Sequence, residues 1–221
     1  EMAEALSQII DNHGTIVIES SYLYDMMNNM VFDFIYHEHL SYFSLKPLRL
    51  FFAKFGMEIW SVKSIPTKGG SLRYFISRKG IHHVEDSVHN LVKKELSGIE
   101  LTQKFITFSK RIAQEKEELL GYLAKLKKKK IVGYGASATS TTLISHFELY
   151  NYLSLLVDDN PAKMNTFSPG FHIPVYSSEK LEKERPDIIL ILAWRYKEHI
   201  LKKLQRLSCE KISPLPEFQA L

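Results

Sequence analysis

Four residues with chemically active side chains are consecutive in the otherwise apolar stretch FDFIYHEHLSYFS: Tyr36, His37, Glu38 and His39. Three interpretations are open for them. They can bind a metal ion, they can transfer a proton, or they can form a hydrogen-bonded polar cluster beneath a loop. Histidine and glutamate serve in all three roles, so the spacing and the surrounding elements must discriminate among them.

A metal site is the least favoured interpretation. Histidines two residues apart share a face only on a strand, and no third protein ligand is evident. His82 and His83 could supply one, but nothing in the sequence brings them to His37 and His39. The single cysteine, Cys209, excludes a cysteine-based zinc cluster. We therefore predict no metal.

Proton transfer suits the same residues better. A histidine acts as a general base near neutral pH when a neighbouring carboxylate orients or charges it. Such a base can remove a proton from a carbon next to a carbonyl group. Tyr36 or Tyr42 could then donate a hydrogen bond to the developing enolate oxygen.

The second candidate site is a glycine-rich turn, Gly133-Tyr134-Gly135-Ala136-Ser137-Ala138, which matches G-x-G-x-x-A. It lies between a predicted strand and a predicted helix, which is the context that the motif requires. The first glycine permits a tight turn, the second lets the backbone approach a phosphate, and the small last residue allows close packing. Free N–H groups at the helix start favour an anion. A tight turn without a ligand is the alternative.

Other candidates follow the ends of predicted parallel strands, where ligands bind in open α/β folds. Asp158 and Asp159 end the strand YLSLLVDD, about where an acidic ribose ligand is expected. Trp194 and Arg195 follow DIILILA. Trp194 could stack on a base and Arg195 could pair with a phosphate, and ordinary packing at the sheet edge is the alternative for both.

The elements that must position these residues fall into two patterns. The first 80 residues predict a helix, the strand TIVIES, an irregular segment leading into the motif, a helix in SLKPLRLFFAKFG and two hairpin-like strands. A helical pattern then begins at Val84, with a break near Ser97. The last third alternates apolar strands with helices, which predicts a Rossmann-like parallel sheet covered on both faces.

Composition narrows the function classes. The chain of 221 residues has a net charge of +4, which suits small anionic ligands. Its one basic run, from Lys127 to Lys130, is predicted to end a helix, and we expect no nucleic-acid partner. No apolar run approaches the ~20 residues of a membrane span, so no membrane association is predicted. One cysteine favours a reducing, cytoplasmic location.

Several motifs in series give a resemblance to a known family. They are FDFIYHEHLSYFS, KGGSLRYFIS, VGYGASATSTT, VDDNPAKMNTFSPGFHIPVYSSEKL and PDIILILAWRYKEHI. In this order, over almost the whole chain, they resemble the sugar C-methyltransferases, which use S-adenosylmethionine and methylate C3 of a nucleotide-linked 4-keto deoxysugar. The resemblance implies that His39 is the base, with Glu38 and Tyr36 as its companions.

The nucleotide-sugar implied by this resemblance needs an anchor for its pyrophosphate. The glycine-rich turn from Gly133 to Ser137 is the first candidate. Lys68 and Arg73, in KGGSLR, are others. A surface salt bridge is the alternative role for Arg73.

The resemblance also implies an α/β chain in three parts. Residues 1–82 would be the C-terminal half of a methyltransferase domain, 83–128 a helical linker and 129–221 a Rossmann-like domain that binds the nucleotide-sugar. The cysteine cluster of the family's zinc module is absent, as is a glycine motif before TIVIES. We therefore predict that the methyl-donor half is missing, that this chain alone can be inactive, and that its partner is either the missing half or a second copy.

Two other functions stay open. One is a non-catalytic nucleotide-binding module. The other is an NAD(P)-dependent oxidoreductase that uses the G-x-G-x-x-A turn, although no separate site for hydride transfer is evident in the sequence.

Overall fold

The structure is a computed structural model that describes residues 1–126 and 128–221, so the basic run predicted to end a helix lies partly outside the described residues. The helices are α1 Met2–Ile9, α2 Leu23–Asn28, α3 Leu45–Ala53, α4 Asp86–Lys94, α5 Gly98–Leu123, α6 Ala138–His146, α7 Lys180–Glu184 and α8 Lys197–Lys203. The strands are β1 Ile16–Ser21, β2 Met57–Ile65, β3 Ser71–Arg78, β4 Ile131–Tyr134, β5 Leu153–Val157, β6 Thr166–Phe167, β7 Pro174–Tyr176, β8 Ile188–Ile191, β9 Glu210–Ser213 and β10 Gln219–Ala220. Within the described ranges, no helix has the length and apolar character needed to cross a membrane.

The chain forms two compact units. The first comprises residues 1–31 and 41–108, and the second comprises 32–40 and 109–221. The segment 32–40, which carries Tyr-His-Glu-His, therefore belongs by its contacts to the second unit. The division of the chain into three functional parts stays a prediction.

The first unit is built on a three-stranded sheet in the order β1-β3-β2. Both outer strands run antiparallel to β3, which confirms the hairpin-like pair expected for β2 and β3. The segment before the motif was predicted to be irregular, and this is wrong for α2, where Leu23, Tyr24, Met26 and Met27 are buried. Burial of these apolar side chains stabilises a helix too short to form alone.

The second unit is built on a seven-stranded sheet in the order β10-β9-β8-β4-β5-β7-β6. The five inner strands are parallel, and the two edge strands are antiparallel. Every residue of β4 and β8 is buried, as expected for strands covered on both faces. The α/β, Rossmann-like fold predicted for this part is therefore confirmed.

Four strands of this sheet were not predicted. They are β6, β7, β9 and β10, of four residues or fewer. Segments this short carry too little periodicity to be recognised, and they become strands because neighbouring strands supply their hydrogen bonds.

Candidate functional site

A short 3-10 turn, Phe32–Phe34, opens the motif segment of the second unit. The Phe32 ring stacks on Phe147 at 5.4 Å between centroids and meets His146 edge-on at 5.4 Å. Phe32 and Phe147 are both buried. Aromatic packing against the end of α6 therefore stabilises the position of the start of this segment.

The next residue, Asp33, is fully buried and accepts three hydrogen bonds. Trp194 Nε1 donates to Asp33 Oδ2 at 3.0 Å, and Arg195 Nη1 lies 2.8 Å from Oδ1 and 2.9 Å from Oδ2. Arg195 Nη2 also donates to Thr139 Oγ1 at 3.2 Å. Burial raises the pKa of the Asp33 carboxyl, and the opposing effect of Arg195 and Trp194 is smaller. Trp194 and Arg195 thus lie just beyond the end of β8, with protein partners, and their roles toward a ligand stay predictions.

His39 stands in a cluster of aromatic rings. Its ring lies 4.8 Å from that of Tyr36 and 5.3 Å from that of Phe34, and its backbone N–H donates to Tyr36 O at 2.9 Å. The Arg195 guanidinium lies 4.5 Å from the centre of the Phe34 ring. His39 is half-buried, which leaves one part of the imidazole accessible while its neighbours restrict its orientation.

The predicted companions of His39 have different surroundings. Glu38 is exposed, and within the described chain no hydrogen bond or ion pair joins it to His39. Tyr36 is half-buried. Burial, and next the charge of Glu38, raise the pKa of the Tyr36 phenol, so that it keeps its proton and can donate a hydrogen bond.

A cavity of about 870 Å³ adjoins the motif. Tyr36 and His37 line it beside four α5 residues at helical spacing and five α6 residues: Ser109, Ile112, Ala113, Lys116, Ala138, Thr141, Thr142, Ser145 and His146. The surface is mostly apolar with a few hydroxyl, imidazole and ammonium groups, which is the usual character of a site for a small organic ligand. His39 is not among the residues that line it.

His146 is a titratable group that the sequence analysis overlooked. Burial, and next the nearby positive charge of Lys116, lower the pKa of its imidazole. His146 therefore favours the neutral form in the fold, in which it can both donate and accept a hydrogen bond. Lys116 itself pairs with Glu148 at 2.5 Å.

Close packing within the second unit leaves no room for a side chain at either glycine of the glycine-rich turn. A Cβ on Gly133 would lie 2.5 Å from Leu156 Cδ2, and a Cβ on Gly135 would lie 2.9 Å from Ala193 Cβ. Gly135 also has φ +113°, which side-chain-bearing residues rarely adopt. Close strand-to-strand packing therefore accounts for the pattern without a ligand.

An internal carboxylate binds one N–H group of the turn that was predicted to face a phosphate. Ala136 N donates to Asp158 Oδ2 at 2.8 Å, and Asp158 also accepts from Asn160 N at 2.9 Å and Lys163 Nζ at 3.0 Å. Burial by itself would raise the pKa of Asp158, but these bonds outweigh it and the pKa is lowered. Ser137 caps α6 by accepting from Ser140 N at 3.2 Å. The Ala136 and Ser140 N–H groups of this turn and helix start thus have partners within the chain.

The other member of the acidic pair is satisfied too. Asp159 accepts from the Tyr134 hydroxyl at 2.9 Å and from Lys203 Nζ at 2.7 Å. The side chains of Tyr134 and Asp158 thus already have hydrogen-bond partners within the second unit. Their contacts with a ligand stay predictions.

Lys68 and Arg73 belong to the first unit. Arg73 forms an ion pair with Glu19 at 2.7 Å, and both side chains are partly exposed, as in the salt-bridge alternative. Lys68 has φ +54° in the turn between β2 and β3. Their predicted contact with a pyrophosphate stays a prediction.

Four residues of this site were not predicted from the sequence: Asp33, Thr139, Lys116 and His146. Asp33 carried a usable sign, because it is the one acid in the apolar run MVFDFIY, and acids in such runs are seldom buried without a partner. The others had none, since α6 and α5 come to the motif only in three dimensions. In the described residues, no group of three or more His, Cys, Asp or Glu side chains is placed to hold a metal ion.

Comparison with known proteins adds to this geometry. The family model described as "C-methyltransferase C-terminal domain" matches residues 66–216, more than half of the chain. The C-methyltransferase NovU of Streptomyces niveus is 30% identical over 98% of this chain and 54% of its own length. The chain therefore spans about half of that relative.

A solved structure, the UDP-D-quinovosamine 4-dehydrogenase of Vibrio fischeri, is similar over 42% of this chain and 93% of its own, with 18% identity and a TM-score of 0.34. A likeness of that size carries no argument. The family match and the relative together confirm the resemblance to C-methyltransferases drawn from the motifs, and the chain belongs to the C-methyltransferase family through its C-terminal domain.

Proposed function

We propose that this chain provides the acceptor side of a C-methyltransferase. It binds a nucleotide-linked 4-keto deoxysugar and removes the proton from the carbon next to the keto group, with His39 as general base. The observation that carries the proposal is the contact between the His39 and Tyr36 rings, 4.8 Å apart, because Tyr36 lines the 870 Å³ cavity together with His37. Membership of the C-methyltransferase family supports it.

The chemistry follows from the properties of the two rings. The keto group makes the neighbouring C–H acidic. The imidazole of His39 takes the proton, the C–H electron pair becomes the enolate double bond, and the carbonyl oxygen becomes the enolate oxygen. Tyr36, whose raised pKa keeps it protonated, is placed to donate a hydrogen bond to that oxygen. The resulting enolate is a carbon nucleophile of the kind that a methyl donor alkylates.

The cavity suits the acceptor on chemical grounds. Apolar surface from Phe32, Ile35 and Ile112 can cover a base or a sugar face, and the hydroxyl groups of Thr141 and Thr142 can bind sugar hydroxyls. Lys116 adds a positive charge for a phosphate, although its pairing with Glu148 must then be shared or exchanged. We include the Gly133–Ser137 turn only as a secondary anchor, because its Ala136 N–H already binds Asp158.

S-adenosylmethionine is the donor that the family implies, and one cavity of the first unit, of about 450 Å³, does not fit it. That cavity is lined by Lys46, Arg49 and Lys79 against the single acid Glu58. Such a surface repels a sulfonium cation. We therefore derive no step through the donor and assign this chain the proton-transfer step alone.

Exchange of the acceptor proton with solvent tests this function without a donor. A dTDP-linked 4-keto deoxysugar is incubated with the chain in D₂O, and loss of the C3–H signal is followed by NMR. We expect exchange with the unaltered chain and a loss of about 10²- to 10⁴-fold in His39→Asn, because a general base contributes that much.

His37→Asn is the matched variant, since it alters the same type of residue two positions away. We expect it to retain most of the exchange and to weaken substrate binding, because His37 lines the cavity. If His39→Asn exchanges as fast as the unaltered chain, the assignment of the base is wrong. If His37→Asn alone abolishes exchange, the base is His37.

Calorimetry with dTDP and with NAD(P) separates the other two functions. Binding of NAD(P) but not of dTDP would favour an oxidoreductase. Binding of dTDP without any proton exchange would favour a non-catalytic binding module. We expect binding of dTDP only, since one amide of the turn that would hold a dinucleotide phosphate, Ala136 N, is bound to Asp158.

A further inference from the structure

The Asp33–Arg195 ion pair of the second unit is largely buried, and both of its members form further hydrogen bonds. Asp33 is fully buried, and the Arg195 side chain is 14% exposed. Trp194 Nε1 also donates a hydrogen bond to Asp33, and Arg195 Nη2 donates one to Thr139 Oγ1. Ions removed from water in this way contribute little net stability, because the cost of desolvation offsets their attraction.

The pair is linked to the proposed base through one ring. The Arg195 guanidinium lies over Phe34 at 4.5 Å, and the Phe34 ring meets the His39 ring edge-on at 5.3 Å. Asp33 and Phe34 are adjacent in the same 3-10 turn. Arg195 therefore holds both the Asp33 carboxylate and the Phe34 ring, and this fixes the conformation of the turn. The His39 imidazole packs against the Phe34 ring that is held in this way.

We propose that Asp33, Trp194 and Arg195 form a clamp that positions His39 for proton transfer. The inference rests on the proposed function and deepens it. It also assigns Arg195 a positioning role instead of a contact with phosphate, since both of its Nη atoms have protein partners and its flat face covers Phe34.

Arginine is suited to this task in a way that lysine is not. Its planar, rigid group can bond a carboxylate along its edge and stack on a ring with its face at the same time. Lysine keeps the charge and loses both geometric features. The clamp therefore predicts that Arg195→Lys lowers kcat for proton exchange strongly and lowers the Tm only slightly.

The test measures proton exchange and thermal stability together in the full chain. We expect Arg195→Lys and Asp33→Asn to lower kcat for exchange by at least about tenfold, because small displacements of a reacting group have large effects on rate. We expect KM to change by less than about threefold, since neither residue lines the cavity. Lys129→Gln, which breaks an exposed ion pair with Asp187, is the matched control and leaves both values unchanged.

The double variant Asp33→Asn/Arg195→Gln separates positioning from stability. Removing both charges avoids the cost of one unpaired buried charge, so the Tm is expected to recover relative to Asp33→Asn. A clamp predicts that kcat stays low in the double variant. A merely structural pair predicts that kcat recovers with the Tm, and that result overturns the inference.

A second readout follows His39 directly. The ring resonances of His39 are recorded by NMR at one pH in the unaltered chain and in Trp194→Phe, which keeps the ring packing and removes one hydrogen bond to Asp33. We expect the chemical shifts and line widths of the His39 ring to change. Unchanged His39 resonances, with unchanged kcat in Arg195→Lys, refute the clamp while leaving His39 as base. Absence of exchange in the unaltered chain removes the proposed function, and the clamp with it.

Discussion

At the scale of single residues, the site depends on which side chains keep or lose a proton. Tyr36 and Asp33 are shifted upward in pKa by burial, and His146 is shifted downward by burial and by Lys116. These directions leave a protonated phenol and a neutral imidazole beside the same cavity at neutral pH. Both can therefore act as hydrogen-bond donors toward a carbonyl or a sugar hydroxyl without carrying a charge.

The lowered pKa of His146 predicts how stability changes with pH. The folded chain holds the His146 proton less tightly than the unfolded chain, whose ordinary value is 6.5. Lowering the pH from about 7.5 to about 5.5 therefore protonates the unfolded state first and decreases the free energy of unfolding. We expect His146→Gln to flatten this decrease, measured by urea unfolding at each pH.

His199→Gln is the control, because His199 is an exposed histidine in the same unit. It is expected to leave the pH dependence of unfolding as it is in the unaltered chain. An equal pH dependence in His146→Gln and the unaltered chain would show that His146 is not the group responsible.

At the scale of the elements, remote side chains complete helix ends and turns. Glu95 follows α4 in the sequence, yet its carboxylate accepts from Leu45 N at 2.6 Å and Lys46 N at 2.8 Å at the start of α3. Tyr22 also donates to Glu95 Oε1 at 3.1 Å. These N–H groups have no partner within the helix, so the acid acts as a cap supplied from fifty residues away.

Replacing this cap is expected to cost stability. Glu95→Gln keeps the shape but loses the negative charge and one acceptor, and we expect a loss of about 1–3 kcal/mol in the free energy of unfolding. Urea unfolding measures it. The exposed Glu4→Gln is the control, and equal unfolding of the two variants would contradict the capping role.

The glycine-rich turn gives a second prediction at this scale. Gly135→Ala introduces a Cβ that lies 2.9 Å from Ala193 Cβ, at φ +113°. Gly170→Ala has a similar backbone requirement, φ +80°, with nothing within 4 Å of its Cβ. We expect Gly135→Ala to lower the free energy of unfolding by about 1–3 kcal/mol more than Gly170→Ala does. Backbone strain is common to both variants, whereas only the Cβ at position 135 clashes with a neighbouring atom. Thermal unfolding compares them, and equal losses would mean that backbone strain alone explains the glycine.

At the scale of the whole molecule, the chain corresponds to 54% of its C-methyltransferase relative. Its net charge of +4 favours anionic substrates over a cationic donor. The cavity of the first unit carries the same sign of charge, with three basic side chains against one acid. These charges support the proposal that the chain provides the acceptor side of the reaction.

The corresponding prediction is that this polypeptide exchanges the acceptor proton without transferring a methyl group. Incubation in D₂O with the dTDP-linked keto sugar and S-adenosylmethionine labelled in its methyl group is expected to give deuterium at C3 of the sugar and no labelled methyl group in the sugar. Scintillation counting and NMR of the same sample measure both. Label at C3 of the sugar would show that the described chain does hold a donor site.

The sequence predicted the elements with strong periodicity and missed those without it. β4, β5, β8 and the long helix α5 follow from apolar runs and helical spacing. The edge strands β6 and β10, of two residues each, depend on their neighbours for hydrogen bonds. In the site, Tyr36 and His39 were identifiable because their types are chemically active, whereas Thr139 and His146 matter only through proximity.

The sequence by itself determined the family, the Rossmann-like sheet and the segment that carries the proposed base, because residue types, their order and their periodicity are written in the chain. Only the tertiary structure decided the partners. It paired Asp33 with Arg195, 162 positions away, and it placed Asp158 on an amide of the turn that was expected to bind a phosphate. A linear pattern specifies which groups can bond, but burial and distance select among the bonds that are possible.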